Sequence, residues 1–594
     1  MSERCLRVSW PLAACLVFGI SAWFVYGDVW RAGPAEHLPS LERSGRAEPW
    51  LDTDQTFIVW QVSRNARALL SRPHAFFDSG HCHPTENALA HTGPMLTMGI
   101  LAIPATLLGA NPVLTYNIVL VSMLLLAGWA MYWLVSDWTG VPAAGIVAGL
   151  LYGFHRVELA NVVHPHIYDT TWTVFALGFG RRLFARGRWR DAAGLAVSAA
   201  LQLGTSFYPF VASVLLALPF GLWLVLRHRL RHVGWRQIGF VLAAVGLAGA
   251  FTFAPYLLLR GEGVLPAREA QVFAWPVAYL PGERLFFGWP CLVLAGLSLV
   301  LPRSRIPAVT LGDPRWALLA GLLLVAAVAA GPSLGGGIAA LRFLDLWSWL
   351  GVVLPGFDNV RNPRIVAIGA HLAACVLAGF GCAALLRLWR WRRAAWLGLL
   401  AIALVWVDTL RPAALGFEPP VAREMFRLTP DPEALAFFET LAEKGNTGPI
   451  FEMPLPRMVG EARGDGRGAR VVWGGTVNRL YLAGYHGRRT SACFGAHVPE
   501  RPQLEEIALR LPRRDAIRAL RGLGFTTIVF RHGIDPAVLE PEVTPDTVAR
   551  RARKHLRLAA FKREAGAADG LLDLVHDTPA RSAYSIEAEP GSER

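Results

Sequence analysis

Charge is scarce in this chain, and lysine is scarcer still. Only 17% of the 594 residues are Asp, Glu, Lys or Arg, against about a quarter in a typical soluble domain. Hydrophobic residues make up 53%, and the mean hydropathy is +0.37. A soluble globular protein is thereby excluded, and a polytopic membrane protein remains. Lysine occurs only at Lys444, Lys554 and Lys562, so arginine carries almost all of the formal net charge of +14. In a soluble chain that excess would suggest nucleic acid. Here arginine collects in short segments between apolar runs, where it sets orientation, and no nucleic-acid partner is expected. Cysteine is sparse too, with seven residues and no spaced framework. Cys15, Cys291, Cys375 and Cys382 lie in apolar runs and read as packing groups. Cys82 and Cys493 lie outside those runs and could meet outside the membrane, although a disulfide between them is not the favoured reading.

Apolar runs are what the chain has in abundance. A bilayer core needs about 20 apolar residues per helix. Candidate spans run near 10–26, 113–135, 168–180, 191–208, 209–226, 237–258, 285–301, 315–331, 364–386 and 393–411. Two weaker segments, 94–109 and 142–154, are short and contain Pro or Gly. The first run lacks a small-x-small cleavage site before Asp28 and reads as a retained anchor. Arginine clusters stand at Arg4/Arg7, Arg181–Arg190, Arg227–Arg236, Arg303/Arg305 and Arg387–Arg393. All five fall on one side only if one weak segment spans and the other does not, and 142–154 is the favoured span. The result is a bundle of about eleven spans, N-terminus inside and C-terminus outside. It leaves 27–93, 155–167, 259–284 and 332–363 on the outer side.

After about 412 the long apolar runs stop. "DPEALAFFETLAEKG" reads as a helix with Asp431 near its start, and "GPIFEMPLP" as a strand into a turn. "RRDAIRALRGLG" reads as a helix closed by glycine, "FTTIVF" as a buried strand and "GLLDLVHD" as a late strand. The expectation is a mainly α protein: a helical membrane domain over 1–411 with first outer loop 27–93, an extracytoplasmic α/β domain over 412–580, and a disordered tail over 581–594.

Chemistry-bearing residues gather in the outer segments. In "EPWLDTDQTFIVW", Asp52 and Asp54 stand at the start of an amphipathic stretch that would lie in the membrane interface. There they would either cap free N–H groups or supply a general base for a hydroxyl. Asp-x-Asp also suits a divalent cation such as Mg2+ or Mn2+. Trp60, six residues on, is taken to share a side with Asp54. "FFDSGHCHPTENALAH" offers His81, Cys82, His83, Glu86 and His91, although no standard zinc spacing is met. "FHRVELANVVHPHIYD" adds Arg156, His164, His166 and Asp169. "LPGFDNVRNPRIVAIGA" places Arg361 and Arg364 just outside a span, against the topology rule, and arginine's planar fork suits a phosphate there.

This ordered series resembles the GT-C superfamily of multi-spanning glycosyltransferases that use polyprenyl-phosphate sugars, and more closely its bacterial YfhO-like branch. Asp54 and Trp60 match that branch's acid and Trp in the first outer loop. "FFDSGHCHPTENALA" matches its next motif, with His83 in an aromatic's place. "NPVLTYN", "LAGWAMYWLV", "HRVELANVVH", "TSFYP" with Tyr208, and "LPGFDNVRNPRIV" follow in order, and "GPIFEMPLP" and "LGFTTIVF" fit the outer domain.

The resemblance implies an inverting sugar transfer to an envelope acceptor (a lipid, glycan or protein) at the outer face of a bacterial inner membrane. It makes Asp54 the base, with Asp52 its helper or a metal ligand. Arg361 or Arg364 would hold the donor phosphate, and Trp60, His83, Arg156, His164 and Tyr208 would bind substrate. One departure stands out: His91, Thr92 and Gly93 occupy the place of an expected Ser and second acid. A lipid or glycan transporter, or a non-catalytic assembly protein on the same core, is the alternative.

Overall fold

The computed structural model describes residues 3–40, 49–154, 159, 163–261, 286–301, 312–331, 345–353, 357, 362–388, 424–453, 455, 467–495, 501–531, 560–565 and 570–587. The candidate span 393–411 and the residues Arg156 and Arg361 lie outside them. The described helices are α1 (Glu3–Ala32), α2 (Pro49–Ser71), α3 (Leu96–Leu107), α4 (Pro112–Thr139), α5 (Pro142–Gly153), α6 (Thr171–Arg186), α7 (Trp189–Thr205) and α8 (Phe207–His228). They continue with α9 (Trp235–Gly261), α10 (Trp289–Val300), α11 (Arg315–Ala329), α12 (Leu346–Val353), α13 (Ile368–Leu388), α14 (Pro432–Glu443), α15 (Arg467–His486), α16 (Pro502–Arg510) and α17 (Arg514–Gly522). Two units form: Met1–Glu42, Pro94–Ala102 and Asn117–Phe426 make the first, and Arg43–Gly93, Ile103–Tyr116 and Arg427–Arg594 make the second.

The first unit is a helical membrane bundle. Five described segments are long and apolar enough to cross a membrane: Trp10–Ala32, Pro112–Thr139, Phe207–His228, Trp235–Gly261 and Pro363–Leu388. The weak segments of the sequence become α3 and α5, each of 12 residues, which rise only about 18 Å in a hydrocarbon core about 30 Å thick. Length therefore does not separate them. In lipid, apolar burial gives no drive for helices to associate, so close packing at small residues must supply it. Gly145, Gly149 and Gly153 form such a stripe on α5, facing α4. A Cβ on Gly149 would stand 2.6 Å from the Gly128 carbonyl oxygen and 2.5 Å from the Phe18 ring, and one on Gly153 would stand 2.6 Å from the Gly128 nitrogen. α13 is buried along its length and packs on α5, α8, α10 and α11. At Gly381 it meets the Leu294 carbonyl of α10 so closely that no side chain fits.

Two arginines of the 181–190 cluster have fixed partners within this unit. Arg181 is buried, lies over the Trp138 ring at 4.8 Å and donates to the Gly312 carbonyl at 2.9 Å. Arg182 pairs with Asp137 at 2.5 Å and 3.2 Å. The break between α7 and α8 falls at Ser206, which is fully extended, two residues before the expected boundary of the spans 191–208 and 209–226.

The second unit is α/β. Its strands β1 (Ile450–Met453), β2 (Thr527–Arg531), β3 (Leu572–Asp577) and β4 (Arg581–Ile586) lie in the order β1-β2-β4-β3, with β1 and β2 parallel and the other pairs antiparallel. α14 starts where its sequence predicts, with the Asp431 carboxylate accepting from the Glu433 N–H at 3.1 Å. Its Phe437, Phe438 and Leu441 pack on one sheet face with Val529 and Ala583, while α16 and α17 contribute Leu504, Ile507 and Leu520 to a second core with Ile528 and Phe530.

Three expectations are corrected here. Residues 581–586 are not a disordered tail but β4, whose Arg581 donates to Asp431 at 3.0 Å and whose Ser582 donates to Asp577 at 2.5 Å. Cys82 and Cys493 are bonded to each other. The residues 43–93 group with the C-terminal residues rather than with the membrane bundle, because α2 packs on α15 and the disulfide closes behind it.

The glycine stripe gives a direct test. Gly149→Leu overpacks the α4–α5 contact and is expected to destabilise the chain by about 2 kcal/mol or more. Gly246→Leu, at a position with open space around it, is expected to leave the thermal unfolding curve in place.

Candidate functional site

α2 was expected to lie flat in the interface with one apolar face. Instead it is buried almost all round from Gln55 to Ala66, as a helix enclosed by its own fold must be. Each polar residue on it needs a partner. Gln61 donates to the Gly93 carbonyl at 2.5 Å. Arg64 donates to the Phe76 and Asp78 carbonyls at 2.5 and 2.9 Å and stacks on the Phe76 ring at 5.5 Å. Burial pulls its guanidinium down to about 10, so it stays charged at neutral pH. Trp60 is 3% exposed, its ring 5.4 Å from Phe57 and 5.3 Å from His81. A Cβ on Gly484 of α15 would stand 3.3 Å from that ring, so the helix–helix contact is made at a glycine.

Asp54 is the half-buried residue at which this enclosed stretch begins. The expected common side for Asp54 and Trp60 does not hold. Six residues of α-helix turn through about 600°, which leaves the two about 120° apart. Trp60 packs the helix in place, while Asp54 stands at its rim. Asp52 lies in α2, but its side chain is outside the described residues, so no ligand set for Mg2+ or Mn2+ is assigned. Among the described residues, no group of three His, Cys, Asp or Glu side chains is placed to hold a metal.

The segment after α2 is stitched to the sheet. β1 would be an open edge, but the chain at 489–491 pairs with it: Ile450 N–H donates to the Arg489 carbonyl at 2.9 Å, and Ser491 N–H donates to Ile450 at 3.0 Å. Residues 80–83 then pair with 490–492 through Thr490 N–H to Gly80, His83 N–H to Thr490 and Cys82 N–H to Ala492, at 2.8, 3.0 and 2.8 Å. The Cys82–Cys493 disulfide and the Asp78–Arg489 ion pair close this ladder. His83 hydrogen-bonds the Leu523 carbonyl at 3.1 Å and meets Phe525 edge-on at 4.7 Å. Cys82, His81 and His83 are thus held by structural partners, with Ser79 bonding His81.

A second polar cluster lies beneath β1. Glu452 is fully buried; it accepts from Thr490 Oγ1 at 2.9 Å and faces Arg531 and Arg479 at 3.1 and 3.4 Å. Burial opposes its charge, but the two guanidinium groups win and hold the carboxyl below its usual range. Glu452 is not marked by any motif, because "IFEM" reads as a strand with one acid and its arginines lie far along the chain.

In the membrane unit, Tyr208 sits in the first turn of α8 and its hydroxyl accepts from the Asn362 N–H at 3.2 Å. Arg364, half-buried, stands in the 3-10 turn Pro363–Ala367 that leads into α13. His164, half-buried, precedes the turn Pro165–Ile167, its ring 6.1 Å from that of His166. The predicted residues accordingly divide, with Asp54, Trp60 and His83 in one unit and His164, Tyr208 and Arg364 in the other.

No known family and no curated protein matches the sequence. Solved structures do. A mutant form of the arabinofuranosyltransferase AftD from Mycobacteria aligns with a TM-score of 0.50 at 15% identity, covering 93% of this chain and 42% of that one. This chain shares the fold of that arabinofuranosyltransferase. A second structure of AftD aligns with a TM-score of 0.48 at 15% identity, over 93% of this chain and 41% of that one. The Archaeoglobus fulgidus oligosaccharyltransferase aligns with a TM-score of 0.36 at 15% identity, over 88% of this chain and 67% of its own. This chain spans less than half the length of AftD.

Two buried histidines make the second unit acid-sensitive. Burial pushes His81 and His486 down to about 3 from 6.5, so each is neutral when folded and takes up a proton on unfolding. Their contribution is complete above pH 6.5 and is lost as pH falls from there towards 3, by about 1.4 kcal/mol per pH unit for each at full slope. Thermal unfolding of the intact chain across that window is expected to show the loss, and His486→Gln to flatten it.

Proposed function

We propose that the chain transfers a sugar from a polyprenyl-phosphate donor to an envelope acceptor hydroxyl at the outer face of the bacterial inner membrane. The observation that carries this reading is Asp54: a half-buried carboxylate at the rim of a helix whose other flanks are packed and hydrogen-bonded. A general base needs that combination of access and fixed position. The acceptor oxygen attacks C1 of the sugar, the bond from C1 to the phosphate oxygen breaks, and Asp54 takes the hydroxyl proton. Polyprenyl phosphate leaves with the electron pair, and a phosphate needs little acid help to do so. Attack opposite the leaving group inverts C1.

Arg364, with Arg361, is the proposed holder of the donor phosphate, since a guanidinium pairs with two phosphate oxygens at once. Tyr208, His164 and Arg156 would line the donor side; Trp60 and His83 act by positioning α2 and the ladder. The Cys82–Cys493 disulfide supports an oxidising, extracytoplasmic setting for the second unit. The GT-C fold supports a lipid-linked substrate reached from within the bilayer.

The test is mass spectrometry of envelope lipids and glycans from cells lacking the chain, complemented with wild type or with Asp54→Asn. The substitution is expected to cut product by about 100-fold or more while the protein is made at normal levels and unfolds at the normal temperature. Undiminished product from a folded Asp54→Asn protein rules Asp54 out as the base.

A further inference from the structure

The arginines that orient the membrane unit are also brought together at one face of it. Arg186, Arg188 and Arg190 stand where α6 passes into α7, and Arg229, Arg231 and Arg236 where α8 passes into α9. All six are exposed, and the one acid between residues 181 and 240 is Asp191, which is buried. Arg181 and Arg182 of the same stretch are matched by the Gly312 carbonyl and by Asp137. Among the described residues, none of the six exposed side chains has a hydrogen bond or an ion pair.

The two turns are locked against each other. Arg229 and Leu230 take φ of 49° and 54°, a left-handed conformation rare for residues with side chains, and the chain then returns to the end of α6. There the His232 carbonyl meets Gly187 so closely that no side chain fits. Gln237, buried at the start of α9, donates from Nε2 to the Gly187 carbonyl at 2.6 Å, and its Oε1 accepts from the Gly234 N–H at 3.0 Å. Val233 packs with Leu183 and Ala192. Charges that serve only to orient a helix need no such joining. Beside the arginines, Trp189 and Trp235 open α7 and α9, 54% and 81% exposed, and tryptophan collects at the headgroup level of a bilayer. α9 then presents Leu242 and Leu247, 66% and 73% exposed, and buries only Gln237, Thr252 and Leu259.

We propose that this face binds a phospholipid with two phosphates, of the cardiolipin type, its headgroup between the two turns and its acyl chains along α9. Arginine's fork pairs with two phosphate oxygens at once. A phosphodiester has only two charged oxygens to offer, so six guanidinium groups exceed what one phosphate can use. Basic pockets between membrane helices suit such a headgroup. The exposed leucines take hydrocarbon, which a nucleic acid lacks, and the tryptophans place the arginines where lipid phosphates lie. The site uses neither Arg364 nor Asp54 and does not rest on the transfer reading.

The experiment uses the purified full chain in detergent micelles, titrated with cardiolipin, phosphatidylglycerol or phosphatidylcholine and read by native mass spectrometry. Cardiolipin is expected to bind about tenfold more tightly than phosphatidylglycerol, whose single phosphate engages fewer arginines. Phosphatidylcholine is expected not to be retained. The triple variant Arg188→Gln/Arg229→Gln/Arg231→Gln is expected to unfold at the wild-type temperature and to lose cardiolipin affinity by about 100-fold, at about fivefold per arginine. Arg513→Gln/Arg514→Gln/Arg518→Gln removes the same charge from an exposed part of the second unit and is expected to keep that affinity. Equal retention of cardiolipin and either other lipid, undiminished affinity in the first variant, or an equal loss in the second overturns the proposal. Displacement of cardiolipin by an equimolar oligonucleotide also overturns it, by assigning the face to nucleic acid. If the first variant fails to fold, the comparison of the three lipids on the natural chain decides.

Discussion

The closing of the ladder around Cys82 and Cys493 is the constraint on which the candidate site depends. A sheet edge left open exposes a row of unpaired backbone groups. Here residues 489–491 cover β1, residues 80–83 cover them in turn, and the disulfide joins two positions separated by 411 residues. The consequence reaches α2. Its return segment is tied to the sheet, its glycine-spaced partner α15 lies against Trp60, and Arg64 and Gln61 are bonded to the loop that follows. Asp54 therefore sits at the start of a rigid element, not on a loop tip, which is what a group that must meet a hydroxyl in one orientation requires.

The membrane unit solves a different problem by a different means. Its helices gain little from leaving lipid for one another, so contact depends on how closely backbones approach. Gly149, Gly153 and Gly381 supply those approaches, and α13, enclosed on every side, is the element on which α5, α8, α10 and α11 all lean. Some polar groups inside this unit form short chains, as in Asp169–Gln202–Thr173, where the Asp169 carbonyl and Gln202 Oε1 each accept from a donor.

Much of this was legible in the sequence where the signal is local. Apolar run length marked the five long apolar helices, Asp431 marked the start of α14, and alternating or apolar runs marked β1, β2 and β3. What depended on distant partners was not legible. The amphipathic look of α2 says that it has an apolar face, but not that α15, some 400 residues later, would cover it. Cys82 and Cys493 stand out as the two cysteines that could meet outside the membrane, but seven cysteines without spacing do not say that they bond. β4 hides behind arginine and serine, and only Asp431 and Asp577, once in place, make those residues fit a buried strand. The relation of Asp54 to Trp60 was misread from spacing alone, because six residues bring a strand's side chains to one face but a helix's to different ones.

That the disulfide-closed ladder holds α2 in place is the central physical claim, and amide hydrogen exchange of the intact protein tests it most directly. With the Cys82–Cys493 bond reduced, amides of α2 and of residues 80–92 are predicted to exchange faster, while those of α13 keep their protection. Unchanged protection along α2 after complete reduction would contradict the account.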